Sequence, residues 1–437
     1  MSHEALIPGK MVYTVPVRPS DMLRTIQFTQ FFRHYRGTPF AVRTQDGWSW
    51  LSAAARPPVF TATFSSRDRL DAVVGDAAES SLARAFLDGD LDIQGDFSTL
   101  LSVAEYTLRH SEGLNGTLVH ALGRFSLDLS RRLRPARKSA APNWRTAPCP
   151  LDLPVSFFEP WLGSLLSHAC ASFGSGHADA EAGACPDPES PSFTPAEFTR
   201  AQLISLDRVC RALHIQPGDR LLDMACGWGA LALRAAQAWE ADALGIASCE
   251  VQADAARERI LAAARSGRES MVLTRRCSAA ARDLRSSPFR SEIFDKITDI
   301  SLFEQVPSAD LPEYFTSMAS MLVPGGLLLI DRITRSAGHH SPKVVPLRGE
   351  LSFEPLSREI EAAESAGFEL IAVESLQSDF DLTVRLWIRS LRRISRRDLA
   401  PEVERAYRAW LLWLVETAAN LQAAGLHAHR LLLRRAR

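Results

Sequence analysis

Lysine is nearly absent from this sequence: four of the 50 basic residues are lysines and the rest are arginines, a bias that reads as genomic composition and decides nothing about a site. Net charge is absent too. With 50 basic against 51 acidic residues and a formal charge of -1, no overall basic surface is available to neutralise phosphates, so no nucleic-acid partner is expected. The seven cysteines, Cys149, Cys170, Cys185, Cys210, Cys226, Cys249 and Cys277, are scattered, odd in number and never spaced C-x-x-C. That spacing lacks the usual zinc and dithiol motifs and fits a reducing cytoplasm, and no metal site is expected. No apolar run approaches the roughly 18 residues of a membrane span, and MSHEALIPGK lacks a basic stretch followed by an apolar one. The expectation is a cytoplasmic protein, soluble or peripheral at the membrane.

What is present divides in two. A chain of 437 residues, 46% of them hydrophobic, is long for one core when domains usually hold roughly 100–200 residues. Phe40–Arg43 and Gly47–Trp50 read as strands around a turn, Pro58–Phe64 alternates with period two, and Leu82–Leu87 looks helical. Asp88–Asp96 reads as an acidic, glycine-rich turn segment, after which Leu100–Leu108 resumes helical spacing. Together these predict a small α+β domain over residues 1–130. Residues 131–150, RRLRPARKSAAPNWRTAPCP, are basic, proline-rich and aperiodic, as suits a linker, and residues 151–437 form the second domain. Within the latter, Gly174–Ser192 has too little large apolar content to order itself by burial and is expected to be a mobile loop.

From Phe198 the pattern alternates. It predicts helices over Arg200–Leu213, Ala230–Trp239, Glu250–Ala264 and Tyr314–Leu322, and strands over Arg220–Met224, Asp242–Ala247, Phe294–Ile300 and Gly326–Ile333. Such alternation predicts an α/β fold with a Rossmann-like, doubly wound, mostly parallel sheet. Ligands bind such sheets outside the carboxyl ends of the strands, where a glycine-rich turn after the first strand lets backbone approach the ligand. Asp223-Met224-Ala225-Cys226-Gly227-Trp228-Gly229 is that turn, although an ordinary tight βα connection reads much the same.

Here the sequence resembles the cyclopropane-fatty-acid synthases and mycolic acid methyltransferases. Cys226-Gly227-Trp228-Gly229 is similar to the family's first motif. The likeness continues through Ala201-Gln202, Gln252, Phe294-Asp295-Lys296-Ile297 with Leu302-Phe303-Glu304, and Leu322-Val323-Pro324-Gly325-Gly326. In the N-terminal part, Asp88-Gly89-Asp90-Leu91-Asp92-Ile93-Gln94-Gly95-Asp96 is similar to a family signature. The resemblance implies a class I S-adenosylmethionine methyltransferase sheet preceded by the small domain. It also implies methyl transfer to a cis double bond of a lipid acyl chain, followed by proton loss that closes a three-membered ring. That chemistry needs an aligned methyl donor, a dry apolar cavity and one positioned base.

Carried over residue by residue, the resemblance places cofactor contacts on Asp223, Ala225, Gly227, Trp228, Gly229, Gln202 and Gln252. The family's base is a bicarbonate ion held by a Cys, a Glu, a His, a backbone group and a Tyr, which fall here on Cys170, Glu304, Asp331, Ile333 and Phe380. The Cys and Glu are kept, while the His and Tyr are replaced. A carboxylate at Asp331 beside Glu304 would repel an anion unless one carboxyl is protonated or Arg332 neutralises the pair. In the cofactor pocket Ala225 replaces a glycine, at little cost if φ is negative there and about 1 kcal/mol or more if it is positive. Ala247 replaces a Thr and Ala280-Ala281 an Asp-Tyr pair; His168-Ala169 and Pro150-Leu151-Asp152 likewise depart from the family.

Simpler readings stand beside these. Cys170 reads equally as a small buried hydrophobe, Glu304 as a helix cap, Asp331 as a solvated loop residue, Gln202 and Gln252 as surface residues, and Trp410–Val415 as core rather than membrane anchor. Three functions remain open: ring formation, methylation without ring closure giving a branched or methylene lipid, and a silent lipid-binding homologue. The expected partners are unsaturated phospholipid acyl chains, reached by peripheral contact with the inner membrane face through arginines such as Arg389, Arg392, Arg393, Arg396 and Arg397. A homodimer is left open.

Overall fold

A computed structural model describes residues 32–53, 56–75, 80–96, 153–174, 193–266, 277–281, 293–300, 306–336, 352–397, 399–422 and 425–437, with isolated positions such as Phe28, Val103 and Ser190. The described residues fall into two compact units. One lies within Met1–Arg137 and takes in Leu399–Ala419; the other lies within Lys138–Pro342, Pro346–Asp398 and Asn420–Arg437. The linker at 131–150, most of the helix expected at 100–108 and the interior of the loop expected at 174–192 lie outside the described residues.

In the first unit β1 (Phe40–Thr44) pairs antiparallel with β2 (Ser49–Leu51) and parallel with β3 (Phe60–Phe64). Helices α1 (Arg67–Gly75) and α2 (Ser80–Leu87) then lead to β4 (Leu91–Gly95), antiparallel to β3. The aromatic strand residues make the core, with the rings of Phe40 and Phe60 stacked at 5.2 Å. β4 corrects the turn expected over Asp88–Asp96. Leu91 and Ile93 alternate into the core and the ladder to β3 takes up the backbone bonds, so only Asp88–Asp90 turns.

The second unit begins with α3 (Val155–Leu162) and α4 (Pro195–Ala212). α4 starts before Arg200 because Thr194 and Glu197 form a capping box with Pro195 in the first turn. The chain then alternates through β5 (Arg220–Asp223), α5 (Ala230–Ala238), β6 (Asp242–Ala247), α6 (Glu250–Ser266), β7 (Cys277–Ala281), β8 (Phe294–Ile300), α7 (Leu311–Met321), β9 (Leu322–Arg335), α8 (Leu356–Ser365), β10 (Phe368–Ser375) and α9 (Gln377–Leu391), and it closes with β11 (Leu426–Arg435). The sheet order is β10-β11-β9-β8-β5-β6-β7, and β11 runs antiparallel to both β9 and β10. Alternate strand residues serve opposite faces: Leu222, Ile297, Leu328 and Ile330 pack with α7, while Leu221, Leu329 and Leu432 pack with α4 and α5. From β5 the chain runs out to β7 and returns as β8 on the other side of β5, so the switch point lies between β5 and β8.

The helix α10 (Pro401–Gln422), which the sequence boundary leaves with the second domain, contributes residues 399–419 to the first unit. Arg408 explains this. It is 4% exposed, donates from Nη1 to the carbonyls of Phe86 and Leu91 at 3.0 Å each, and is held at Nη2 by Glu404 at 2.9 Å. Trp410, Leu411, Leu412, Leu414 and Val415 are buried, so this apolar run is core. No described helix is long and apolar enough to cross a membrane.

Candidate active site

The turn after β5 is fastened to both neighbouring strands. Met224 N–H donates to the Thr298 carbonyl at 2.8 Å in β8, and Cys226 N–H donates to the Ile246 carbonyl at 3.0 Å in β6. Gly227 and Gly229 have φ of +53° and +80°, which L side chains rarely adopt. A Cβ at Gly227 would meet nothing within 4 Å, so backbone faces open space there, whereas at Gly229 it would come within 3.1 Å of Ala256 Cβ in α6. Ala225 is not among the residues with positive φ, which settles its replacement of a glycine as inexpensive.

Two surface assignments are overturned. Gln202 and Gln252 are 1% and 4% exposed. Gln202 Nε2 donates to the carbonyls of Leu162 and Ser167 at 2.9 and 3.2 Å. Cys226, Ala247 and Ala253 pack together, bringing the start of α6 with Gln252 against the turn. Gln252 Oε1 and Trp228 Nε1 are buried without hydrogen-bond partners among the described residues. Buried polar atoms without partners next to open backbone fit a polar ligand, since such atoms otherwise carry a desolvation cost. Asp223, 2% exposed, accepts from Thr298 Oγ1 at 3.2 Å. Burial pushes its pKa up to about 7, with the charge of Asp299 adding and the bonds from Thr298 and the Ala225 N–H opposing.

The second half of the site lies along β9 and β11. Cys170 packs with Leu376, Ala428 and half-buried Phe380, and Ile333 stands opposite Ala428 in the ladder. Burial pushes the Cys170 thiol well up, and the carboxylates of Asp379 and Asp331 push the same way, so it stays a protonated donor, bonded to the Ala171 carbonyl at 3.3 Å. Asp331 is no solvated loop residue: it is 7% exposed and faces Arg430 across the ladder, each carboxylate oxygen accepting a 2.7 Å bond. Arg332, one of the two ways the sequence left open for relieving that repulsion, points to the other face and pairs with Glu359 of α8. Arg430 also lies 3.8 Å from Glu374, which Arg208 of α4 holds as well. Sequence reasoning missed Arg430; its one signal was an arginine directly before the apolar triplet Leu431–Leu433. Glu304 lies outside the described residues.

Residues 138–431 match the family described as mycolic acid cyclopropane synthetase. The chain belongs to that family. Among its curated relatives, a probable fatty acid methyltransferase of Pseudomonas putida is 27% identical over 361 residues, covering 80% of this chain and 81% of that protein. Cyclopropane mycolic acid synthase 1 of Mycobacterium tuberculosis is 26% identical over 297 residues, 63% of this chain and 92% of the other. The crystal structure of mycolic acid cyclopropane synthase CmaA1 complexed with SAH and CTAB superposes with a TM-score of 0.52 at 20% identity, covering 65% of this chain and 95% of that one. The sheet is therefore that of S-adenosylmethionine-dependent methyltransferases.

Two measurements follow from the buried charges. Because Asp223 holds its proton up to about pH 7 when folded but only to about 3.8 when unfolded, stability falls as pH rises between those values. Asp223→Asn should lose that dependence, so urea midpoints of the ligand-free protein should show the variant gaining on wild type from pH 5 to 7 and no further above that. Asp331→Ala strands a buried guanidinium and should cost about 3 kcal/mol, whereas Asp331→Leu with Arg430→Met should recover most of it. A single variant as stable as wild type would contradict the pairing.

Proposed function

We propose that this chain transfers a methyl group from S-adenosylmethionine to the double bond of an unsaturated lipid acyl chain and closes a cyclopropane ring, giving a cyclopropane fatty acyl phospholipid. The observation that carries the reading is the turn whose backbone at Gly227 faces open space beside buried atoms of Gln252 and Trp228 that have no hydrogen-bond partner among the described residues. Asp223, Ala225, Gly227, Trp228, Gly229 and Gln252 would hold the cofactor, with Gln202 supporting them through its bonds to Leu162 and Ser167. Bound there, it would supply an electrophilic methyl group on a sulfonium.

The chain's own residues do the rest. Leu376, Ala428, Ile333, Phe380 and the protonated Cys170 thiol make a wall that offers little water to a cationic centre on the acyl chain. Asp331 is the buried carboxylate at that wall, and Arg430 removes the repulsion that its charge would exert on Glu304 or on a bicarbonate. Glu304, Cys170, Asp331, the Ile333 backbone and Phe380 are the groups assigned to the proton-accepting end, with bicarbonate as its external base. A second reading, methylation without ring closure, is favoured by Phe380 and Asp331 offering no hydrogen-bond donor to such an anion. The silent lipid-binding reading is disfavoured by the polar atoms held ready at the turn.

Membrane contact would be peripheral, through Arg392, Arg393 and Arg397, which are exposed past the end of α9, each worth about 1 kcal/mol near an anionic surface. Arg389 is already engaged, donating to the Ser190 carbonyl at 3.2 Å with Phe193 beneath it. Calorimetry should show S-adenosylmethionine binding that Gly227→Val abolishes, and raised salt should release the protein from anionic vesicles. Wild-type affinity in the Val variant would remove the turn from the site.

A further inference from the structure

Residues 163–174 carry Cys170 yet form neither helix nor strand, so their backbone groups need other partners. Side chains of α4 and α9 provide many of them. Gln202 donates to the Ser167 carbonyl, Ser205 Oγ donates to the Cys170 carbonyl at 2.6 Å, Thr383 Oγ1 accepts from Ala171 N–H at 3.0 Å, and Asp379 accepts from Phe173 N–H at 3.3 Å. Leu166 is held at φ +52°, a left-handed conformation that a leucine keeps only where its surroundings dictate it.

One support comes from elsewhere. Arg259 lies on α6, the helix that brings Gln252 and Ala256 against the ligand turn. Its Nη1 donates to the Trp228 carbonyl at 2.7 Å and its Nη2 reaches the Ser164 carbonyl at 3.5 Å. The guanidinium therefore touches the turn strongly and the Cys170 segment at the limit of a hydrogen bond. No carboxylate lies within ion-pair distance of it among the described residues. Burial pushes its pKa down, opposed by the charge of Glu159 on α3. The turn also meets α3, the helix that runs into this segment, where the ring of Phe158 lies 4.7 Å from that of Trp228.

We propose that Arg259 is a positioning residue that ties the ligand turn to the Cys170 segment, so that occupying the turn also fixes the segment that walls the acyl chain. A planar guanidinium can serve two carbonyls at once, which a lysine ammonium on a single flexible stem does less well. The coupling rests on the cofactor reading above, while the tether itself does not.

Hydrogen exchange read by mass spectrometry on the full chain, with and without S-adenosylhomocysteine, tests both. In wild type the ligand should slow exchange in peptides covering 224–230 and in those covering 163–174. Arg259→Lys should keep the response of the turn and lose about threefold of the response of the segment, the size of one weak hydrogen bond. Arg259→Ala should in addition speed exchange of the segment about threefold without ligand, while amides of β5, β8 and β9 stay as in wild type. A segment that responds to ligand as in wild type in both variants overturns the coupling. Should wild type bind no ligand, the cofactor reading fails by itself; unchanged ligand-free exchange at 163–174 in Arg259→Ala then overturns the tether. If the Ala variant does not fold, the Lys variant decides.

Discussion

A carboxylate and a guanidinium facing each other across two antiparallel strands organise the half of the candidate site that lies along β9 and β11. Asp331 and Arg430 are both nearly sealed from water and meet through two 2.7 Å bonds. Neither is tolerable alone, because an unpaired buried charge costs several kcal/mol. The chain of charge continues: Arg430 approaches Glu374, Glu374 is held by Arg208, and Arg208 donates at 3.0 Å to Ser172, whose hydroxyl turns to Asp379. Alternating signs thus connect β9, β11, β10, α4 and α9 to the irregular stretch that presents Cys170. The antiparallel β11 is what makes this possible, since it sets Arg430 directly opposite Asp331 in the ladder.

That pair also changes what the site offers. At the two positions where the family resemblance places a His and a Tyr, this chain has a carboxylate with its own counter-ion and a Phe ring. Neither group can donate a hydrogen bond to an external anion: one is a carboxylate paired with Arg430 and the other an apolar ring. At the glycine turn the backbone accommodates the one change. Ala225 sits at a backbone conformation that accepts a side chain, and the two glycines that do need positive φ, Gly227 and Gly229, are retained.

The parts legible in the sequence were those set by local pattern. The bounds of β6 and β8 agree with the sequence pattern to the residue, since each is a short stretch with apolar residues at its core positions, and the glycine turn follows from its position after β5. Asp88–Asp96 was misread because its Asp and Gly content outweighed the period-two placement of Leu91 and Ile93. Gln202 and Gln252 look like surface residues on any helix; only the fold shows that one braces Leu162 and Ser167 and that the other is sealed at the turn. Arg430 could not be assigned to Asp331 from the sequence, because the two are 99 positions apart and the intervening β-strand pairing is non-local.

The central claim, methyl transfer to an acyl double bond with ring closure, is tested most directly by following the methyl group itself. The purified protein is given unsaturated phospholipid vesicles and S-adenosylmethionine whose methyl carries three deuterons, and the acyl chains are analysed by mass spectrometry. Ring closure predicts one added carbon that retains two of the three deuterons, the third having gone to the base, in a chain that ozone no longer cleaves at that site; a methylene lipid would also keep two deuterons but would be cleaved. Chains that retain all three would contradict ring closure, and chains with no added carbon would contradict the methyl transfer.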